Sequence, residues 1–88
     1  MILVELDLFE AGTKSIVKIN EKSLVKEAIE DIAGDVNENP DSGELISVSE
    51  KKVLNHNLSF EEQNIGGGDT LICFFDNNRE EVENVSDS

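Results

Sequence analysis

Apolar and polar residues alternate from the first positions of the chain. Ile2, Val4, Leu6 and Leu8 fall on one side, and Leu3, Glu5, Asp7 and Phe9 on the other. That period predicts a strand with one wet face. Ala11-Gly12-Thr13 supplies a turn. Residues 15–19 alternate again, with Val17 and Ile19 facing one way and Lys18 the other, so the chain opens with a β-hairpin. The spacing then lengthens. In SLVKEAIEDIAG, Val25, Ile29, Ile32 and Ala33 recur at helical intervals, with Ala28 on the flank. Ser23 is the expected N-cap, because its hydroxyl can accept from a free N–H of the first turn. Gly34 is the expected stop.

Residues 35–44, DVNENPDSGE, are polar and carry Pro40 and Gly43, so they read as a loop. Leu45 to Val48 is a third strand and Lys52 to Leu54 a short fourth, joined by the turn-like Ser49-Glu50-Lys51. In the third strand the pattern admits two registers, and placing Ile46 and Val48 inward is the more apolar one. Phe60 to Ile65 (FEEQNI) suits a single tight helical turn, and Gly66-Gly67-Gly68-Asp69 follows it. Thr70 to Phe75 (TLICFF) is an apolar run rich in β-formers and fenced by turn signals, the expected central strand. The order ββαββ, a short turn, then β predicts an α+β domain with one helix packed on one face of the sheet.

The 88 residues suffice for one small domain. Its boundary is expected near Phe75, since residues 76–88, DNNREEVENVSDS, contain five acids, one base and two apolar residues, Val82 and Val85. Such a segment cannot build a core. We therefore divide the chain into a domain, 1–75, and an acidic C-terminal tail, 76–88. Seven Lys and Arg stand against 20 Asp and Glu, a net charge of −13. This balance argues against nucleic acid and anionic membranes, both of which require clustered cations, and it favours a basic protein partner. The stretch Met1–Asp7 has neither a basic region nor an unbroken apolar run, so no signal peptide or membrane span is expected and a cytoplasmic location is.

The order of elements at these spacings resembles the ubiquitin-like β-grasp. The likeness is carried by the hairpin starting at residue 1, by the helix ending Ile32-Ala33-Gly34, and by the last third of the chain. There Val53-Leu54, a polar gap, Phe60 to Ile65, a Gly-Asp turn and Thr70-Leu71-Ile72 follow one another. Within that superfamily, Val25-Lys26-Glu27-Ala28-Ile29 and Ile65 to Leu71 are most similar to the YukD/EsaB proteins that accompany type VII (WXG100) secretion systems. The resemblance implies that the first and last strands are parallel neighbours at the sheet centre. It also implies that Val4, Leu6, Val17, Ile19, Leu71, Cys73 and Phe75 face the helix, with Val25, Ile29 and Ile32 packed onto them. Ile72 and Phe74 then face outward with Leu3, rimmed by Glu5 and Asp7. In ubiquitin-like domains this sheet face is the usual docking surface, so Leu3, Ile72 and Phe74 become the candidate protein-binding residues. The acidic tail, 76–88, or a second copy of the chain is the alternative occupant.

No residue pattern calls for catalysis or a cofactor. Modifiers and carriers of this superfamily react through a terminal Gly-Gly, and this sequence ends Val85-Ser86-Asp87-Ser88. Its glycines at 66–68 are internal, where a turn requiring positive φ is the simpler reading. A strand rather than a helix follows them, so they do not form a phosphate cradle. Asp35, Asn37 and Asn39 have the oxygen spacing of a calcium loop. However, Pro40 stands where such a loop bends through glycine, and Ile46 where it needs a bidentate Glu, so a solvated acidic loop is expected. The single cysteine, Cys73, lies in an apolar strand and reads as a small core hydrophobe. It also excludes metal sites built on several thiolates. His56, between Asn55 and Asn57, reads as a surface residue.

Overall fold

The computed structural model describes residues 1–9 and 11–75, and the expected acidic tail, 76–88, lies outside the described residues. Strand β1 (Ile2–Leu8) turns back into β2 (Thr13–Ile19), followed by helix α1 (Val25–Val36), β3 (Gly43–Ser47), β4 (Lys52–Val53) and β5 (Thr70–Phe75). Short 3-10 turns occupy Pro40–Ser42 and Glu61–Gln63. The five strands form one sheet in the order β2-β1-β5-β3-β4. The last strand is therefore central, parallel to β1 and antiparallel to β3. β2 and β3, each antiparallel to its neighbour in that central pair, run parallel to one another, and α1 supplies the crossover between them by lying across one sheet face.

The core sits between α1 and that face. Val4, Leu6, Leu71, Cys73 and Phe75 are buried there against Val25, Ile29 and Ala33. Val17, Ile19 and Ile32 pack at its margin, half-buried. Phe60, Leu54 and Ile65, all from the segment between β4 and β5, close the end of the core. Phe60 is fully enclosed, so this stretch is a packed lid. Its backbone is pinned by a reciprocal pair. Glu62 N–H donates to Ser59 Oγ at 3.1 Å, and Ser59 N–H donates to Glu62 Oε1 at 2.9 Å. Buried Gln63 ties the same segment together. Its Nε2 donates to the carbonyls of Asn55 (3.0 Å) and Ser59 (3.2 Å), and its Oε1 accepts from Asn55 N–H at 2.7 Å.

Three local expectations are corrected. The helix does not begin on Ser23. Leu24 holds the N-cap position, and its N–H donates to Glu27 Oε1 at 2.9 Å. The free N–H groups of Val25 and Lys26 donate to the carbonyls of Leu58 and His56 instead, so the lid does the work a serine hydroxyl would have done. The helix also runs through Gly34 and ends at Val36. There Asn37 adopts the left-handed conformation at φ 60° and donates its N–H to the Ala33 carbonyl.

The third correction concerns β3. Gly43, Leu45 and Ser47 point inward, while Ile46 is half-buried on the other face and Val48 is exposed. An inward serine costs little here because its hydroxyl is already used. Ser47 Oγ accepts the Glu50 N–H at 3.1 Å and lies 3.3 Å from Ser49 Oγ, which fixes the turn into β4.

Candidate functional site

The face of the sheet opposite α1 bears no element among the described residues, and strand pairing lays out its side chains in rows. One row crosses all five strands as Lys14, Asp7, Ile72, Ile46 and Val53. The row towards the glycine turn holds Ile16, Glu5 and Thr70, with Val48 beside Thr70 through its N–H. On the other side, Phe74 pairs with Glu44. Ile72, Ile46 and Val53 are thus adjacent on three neighbouring strands, with Phe74 and Val48 above and below. Val53 is 56% exposed and Val48 46%. Isolated exposed hydrophobics are normal on a protein surface, but a contiguous set on one open face is what docking surfaces display.

Polar groups edge this patch. Glu44 Oε1 lies 3.0 Å from His56 Nε2, so the histidine expected on the surface is half-buried beside the apolar row. Its carbonyl meanwhile caps α1. Asp7 and Glu5, on β1 of the hairpin, stand beside Ile72 and Thr70 and edge the patch on that side.

Of the three residues singled out in the sequence, Ile72 and Phe74 lie on this open face in the central strand, both half-buried. Leu3 lies on the same face and is 55% exposed, but the Glu5–Thr70 row separates it from Ile72. Ile46, Val48 and Val53 did not come forward from the sequence. The more apolar of the two registers open to β3 turns the first two inward, and Val53 pairs with Ile46 and so follows it.

The remaining chemical candidates have structural occupations. Gly68 takes φ +88°, and the turn is closed by Gly66 N–H donating to Asp69 Oδ2 at 3.0 Å, so the carboxylate sits where an anion would have to be. Asp35 and Asn37 belong to the helix end, and Asn39 Oδ1 accepts from Asp41 N–H at 3.0 Å to start the Pro40–Ser42 turn. Among the described residues, no group of three His, Cys, Asp or Glu is placed to hold a metal ion. Cys73 is fully buried and faces α1. No helix among the described residues is long and apolar enough to cross a membrane.

No family model matches the chain, and no curated protein matches it. Among solved structures, the chain is similar to a de novo design based on ubiquitin. The TM-score is 0.70 at 20% sequence identity, covering 86% of this chain and 89% of the design. At that identity the likeness establishes architecture alone, and with the topology above it establishes a ubiquitin-like β-grasp: a mixed five-stranded sheet with one helix on one face.

Proposed function

We propose that this protein is a non-catalytic protein-binding module that docks through the open face of its sheet. The observation that carries the reading is the contiguous row Ile72, Ile46 and Val53, flanked by Phe74 and Val48 on a face that no helix among the described residues covers. Burying such side chains against a partner supplies about 1.5–3 kcal/mol each at full burial. The acids beside them, Glu5, Asp7 and Glu44, together with the net charge of −13, select a partner with a basic surface and raise its association rate at low salt. Leu3 and Ile16, both exposed on the β1–β2 hairpin, extend the contact beyond the acidic row.

The similarity of 25–29 and 65–71 to YukD/EsaB sequences supports a more specific assignment, a cytoplasmic accessory protein of a type VII secretion-like system. A modifier role is disfavoured, because processing at Gly66-Gly67-Gly68 would remove β5, the central strand of the sheet. The test is to titrate the isotope-labelled chain with the cytosolic domains of a type VII secretion ATPase and with WXG100 proteins. Amide shifts centred on 46, 53, 72 and 74, abolished by Phe74→Ser with the fold retained, are expected. Shifts confined to α1, or binding indifferent to Phe74→Ser, would refute the site. Open-face binding by a different basic protein would keep the site and reject the pathway.

A further inference from the structure

On the helix side of the sheet, away from the open face, a cleft of ≈ 380 Å³ runs between β2 and α1. That volume falls in the range of small-ligand sites, about 300–1,000 Å³. Among the described residues, its walls are the half-buried Val17 and Ile19 on one side and Ala28 and Ile32 on the other. Its floor reaches the core at Leu6 and Leu71. The carboxylates are gathered on the helix lip, where Glu27, Asp31 and Asp35 follow at one-turn spacing.

The three carboxylates are not equivalent. Glu27 spends one oxygen on the Leu24 N–H at 2.9 Å. Asp31 and Asp35 are exposed, and among the described residues neither is ion-paired. Side chains one turn apart on a helix stand about 5–6 Å apart at Cβ, where like charges repel. A cation between them relieves that repulsion, and a single ammonium can reach an oxygen of each at hydrogen-bond length. Lys18, the one lysine lining the cleft, belongs to β2 on the other side and leaves the carboxylates in excess. A hydrocarbon trough with an acidic rim on one side specifies an apolar body with one cationic end.

We propose that the β2–α1 cleft binds a small, unbranched aliphatic amine. Its chain lies along the trough against Val17, Ile19, Ala28 and Ile32, and its ammonium sits between Asp31 and Asp35. Charge decides the occupant. A fatty carboxylate meets the same walls but three like charges. The 76–88 segment brings five acids against one base, and a second copy of this chain brings another −13, so both are repelled from the acidic lip. A lysine side chain of another protein carries the same head on four methylenes and has less chain to bury.

The test titrates the full chain, isotope-labelled and at neutral pH, with octylamine, hexylamine, octanoate, octan-1-ol and Nα-acetyl-lysine amide. Octylamine is expected to shift amides of 17–19 and 28–35, with affinity falling as salt rises. Hexylamine should bind about tenfold more weakly, since each buried methylene is worth about threefold to fourfold. Octanoate, octanol and the lysine amide should each bind at least about tenfold more weakly than octylamine. Asp31→Asn combined with Asp35→Asn should bring octylamine down to the level of octanol while leaving the melting transition in place. Ala28→Leu, which narrows the cleft, should weaken octylamine with both aspartates intact; should that variant not fold, the aspartate pair carries the test. Phe74→Ser should leave octylamine binding unchanged, which separates this site from the open face. Shifts centred on 46, 53 and 72, equal binding of octanoate or of the lysine amide, or affinity indifferent to chain length would each overturn the proposal. So would no shift at millimolar octylamine, the outcome if the 76–88 segment or a second copy fills the cleft.

Discussion

Gly43 opens β3 directly beneath the helix, and an alanine there tests how closely α1 is seated on the sheet. Its backbone, φ −84° and ψ 146°, is ordinary extended geometry that any residue adopts, so conformational strain plays no part. Replacing glycine by alanine at such a position stabilises by about 0.4–1 kcal/mol through the unfolded chain. Packing opposes this. A Cβ on Gly43 would lie 2.6 Å from Ile29 Cγ2 and 2.7 Å from Phe75 Cε1, whereas carbon atoms in contact settle at about 3.5–4.0 Å. Ile29 is 1% exposed and β-branched on a helix, so its χ1 has essentially one setting. Relief requires α1 to lift or the Phe75 ring to swing. Overpacking of this kind costs about 1–3 kcal/mol, so Gly43→Ala should destabilise by roughly 0.5–2 kcal/mol net. For a domain of this size that lowers Tm by several degrees, at about 4–8 °C per kcal/mol. Gly34→Ala provides the opposite sign. Gly34 lies inside α1 with nothing within 4 Å of the added methyl, so the variant should gain about 0.5–1 kcal/mol. Urea melts followed by circular dichroism measure both. Phe75→Leu, which removes the Cε1 atom, should reduce the cost of Gly43→Ala in a double-mutant cycle. A Gly43→Ala protein as stable as the parent would refute the seating of α1 described here.

Three further expectations follow from particular contacts. Leu71→Ala, at a fully buried position of the central strand, should cost on the order of 2–5 kcal/mol in the same melts, and a parent-like melt would reject the register of β5. Gln63→Leu keeps the volume but strands the Asn55 N–H and the Ser59 carbonyl and leaves the Asn55 carbonyl with the Leu58 N–H alone, and it should cost about 1–3 kcal/mol; amide exchange over 55–63 should rise, and unchanged protection there would show that the clip is dispensable. The Ser59 N–H and hydroxyl hold the Glu62 carboxyl below the ordinary carboxylate range, so its contribution is present above the unfolded-state value and lost as pH falls through the lower folded value; melts between neutral and acidic pH should lose stability less steeply in Glu62→Gln, and identical slopes would count against the capping pair.

The architecture was legible because most of its elements signal themselves locally. β1 and β5 alternate or run apolar, and α1 has an unmistakable stripe, so order and layering follow from pattern alone. Single residues whose partners are distant in sequence were not legible. Ser23 is an excellent cap by type. Nothing nearby in the chain reveals that carbonyls from His56 and Leu58 will arrive to take the same N–H groups. Gly34 is a helix stop by type, but an exposed glycine two residues from the end costs less than ending a turn early and losing Val36 from the margin of the core. The Ser59–Glu62 pair carried a readable signature, Ser-x-x-Glu before Ile65, which could have predicted the 3-10 turn and its lid role directly.

β3 shows why fold and function differ in legibility. A sheet covered on one side has an inside and an outside, and a shift of one residue exchanges every side chain between them. Choosing the inward set by hydrophobicity puts Ile46 and Val48 in the core, because Leu45 with Gly43 and Ser47 is the poorer apolar set. That choice leaves the order and pairing of strands intact, so the fold is inferred correctly either way. It nevertheless erases the centre of the open face, leaving Ile72 and Phe74 as an isolated pair beside a distant Leu3. The true register is fixed by two small residues. Gly43 leaves room for Ile29 and Phe75 to close over it, and Ser47 turns its hydroxyl into the Glu50 turn. Ile46→Ser is the direct check. If Ile46 serves docking rather than the core, the substitution should lower stability by less than Leu45→Ala does, while removing the amide shifts that a partner induces at 72 and 53. A larger stability loss from Ile46→Ser than from Leu45→Ala would return Ile46 to the core and dissolve the patch.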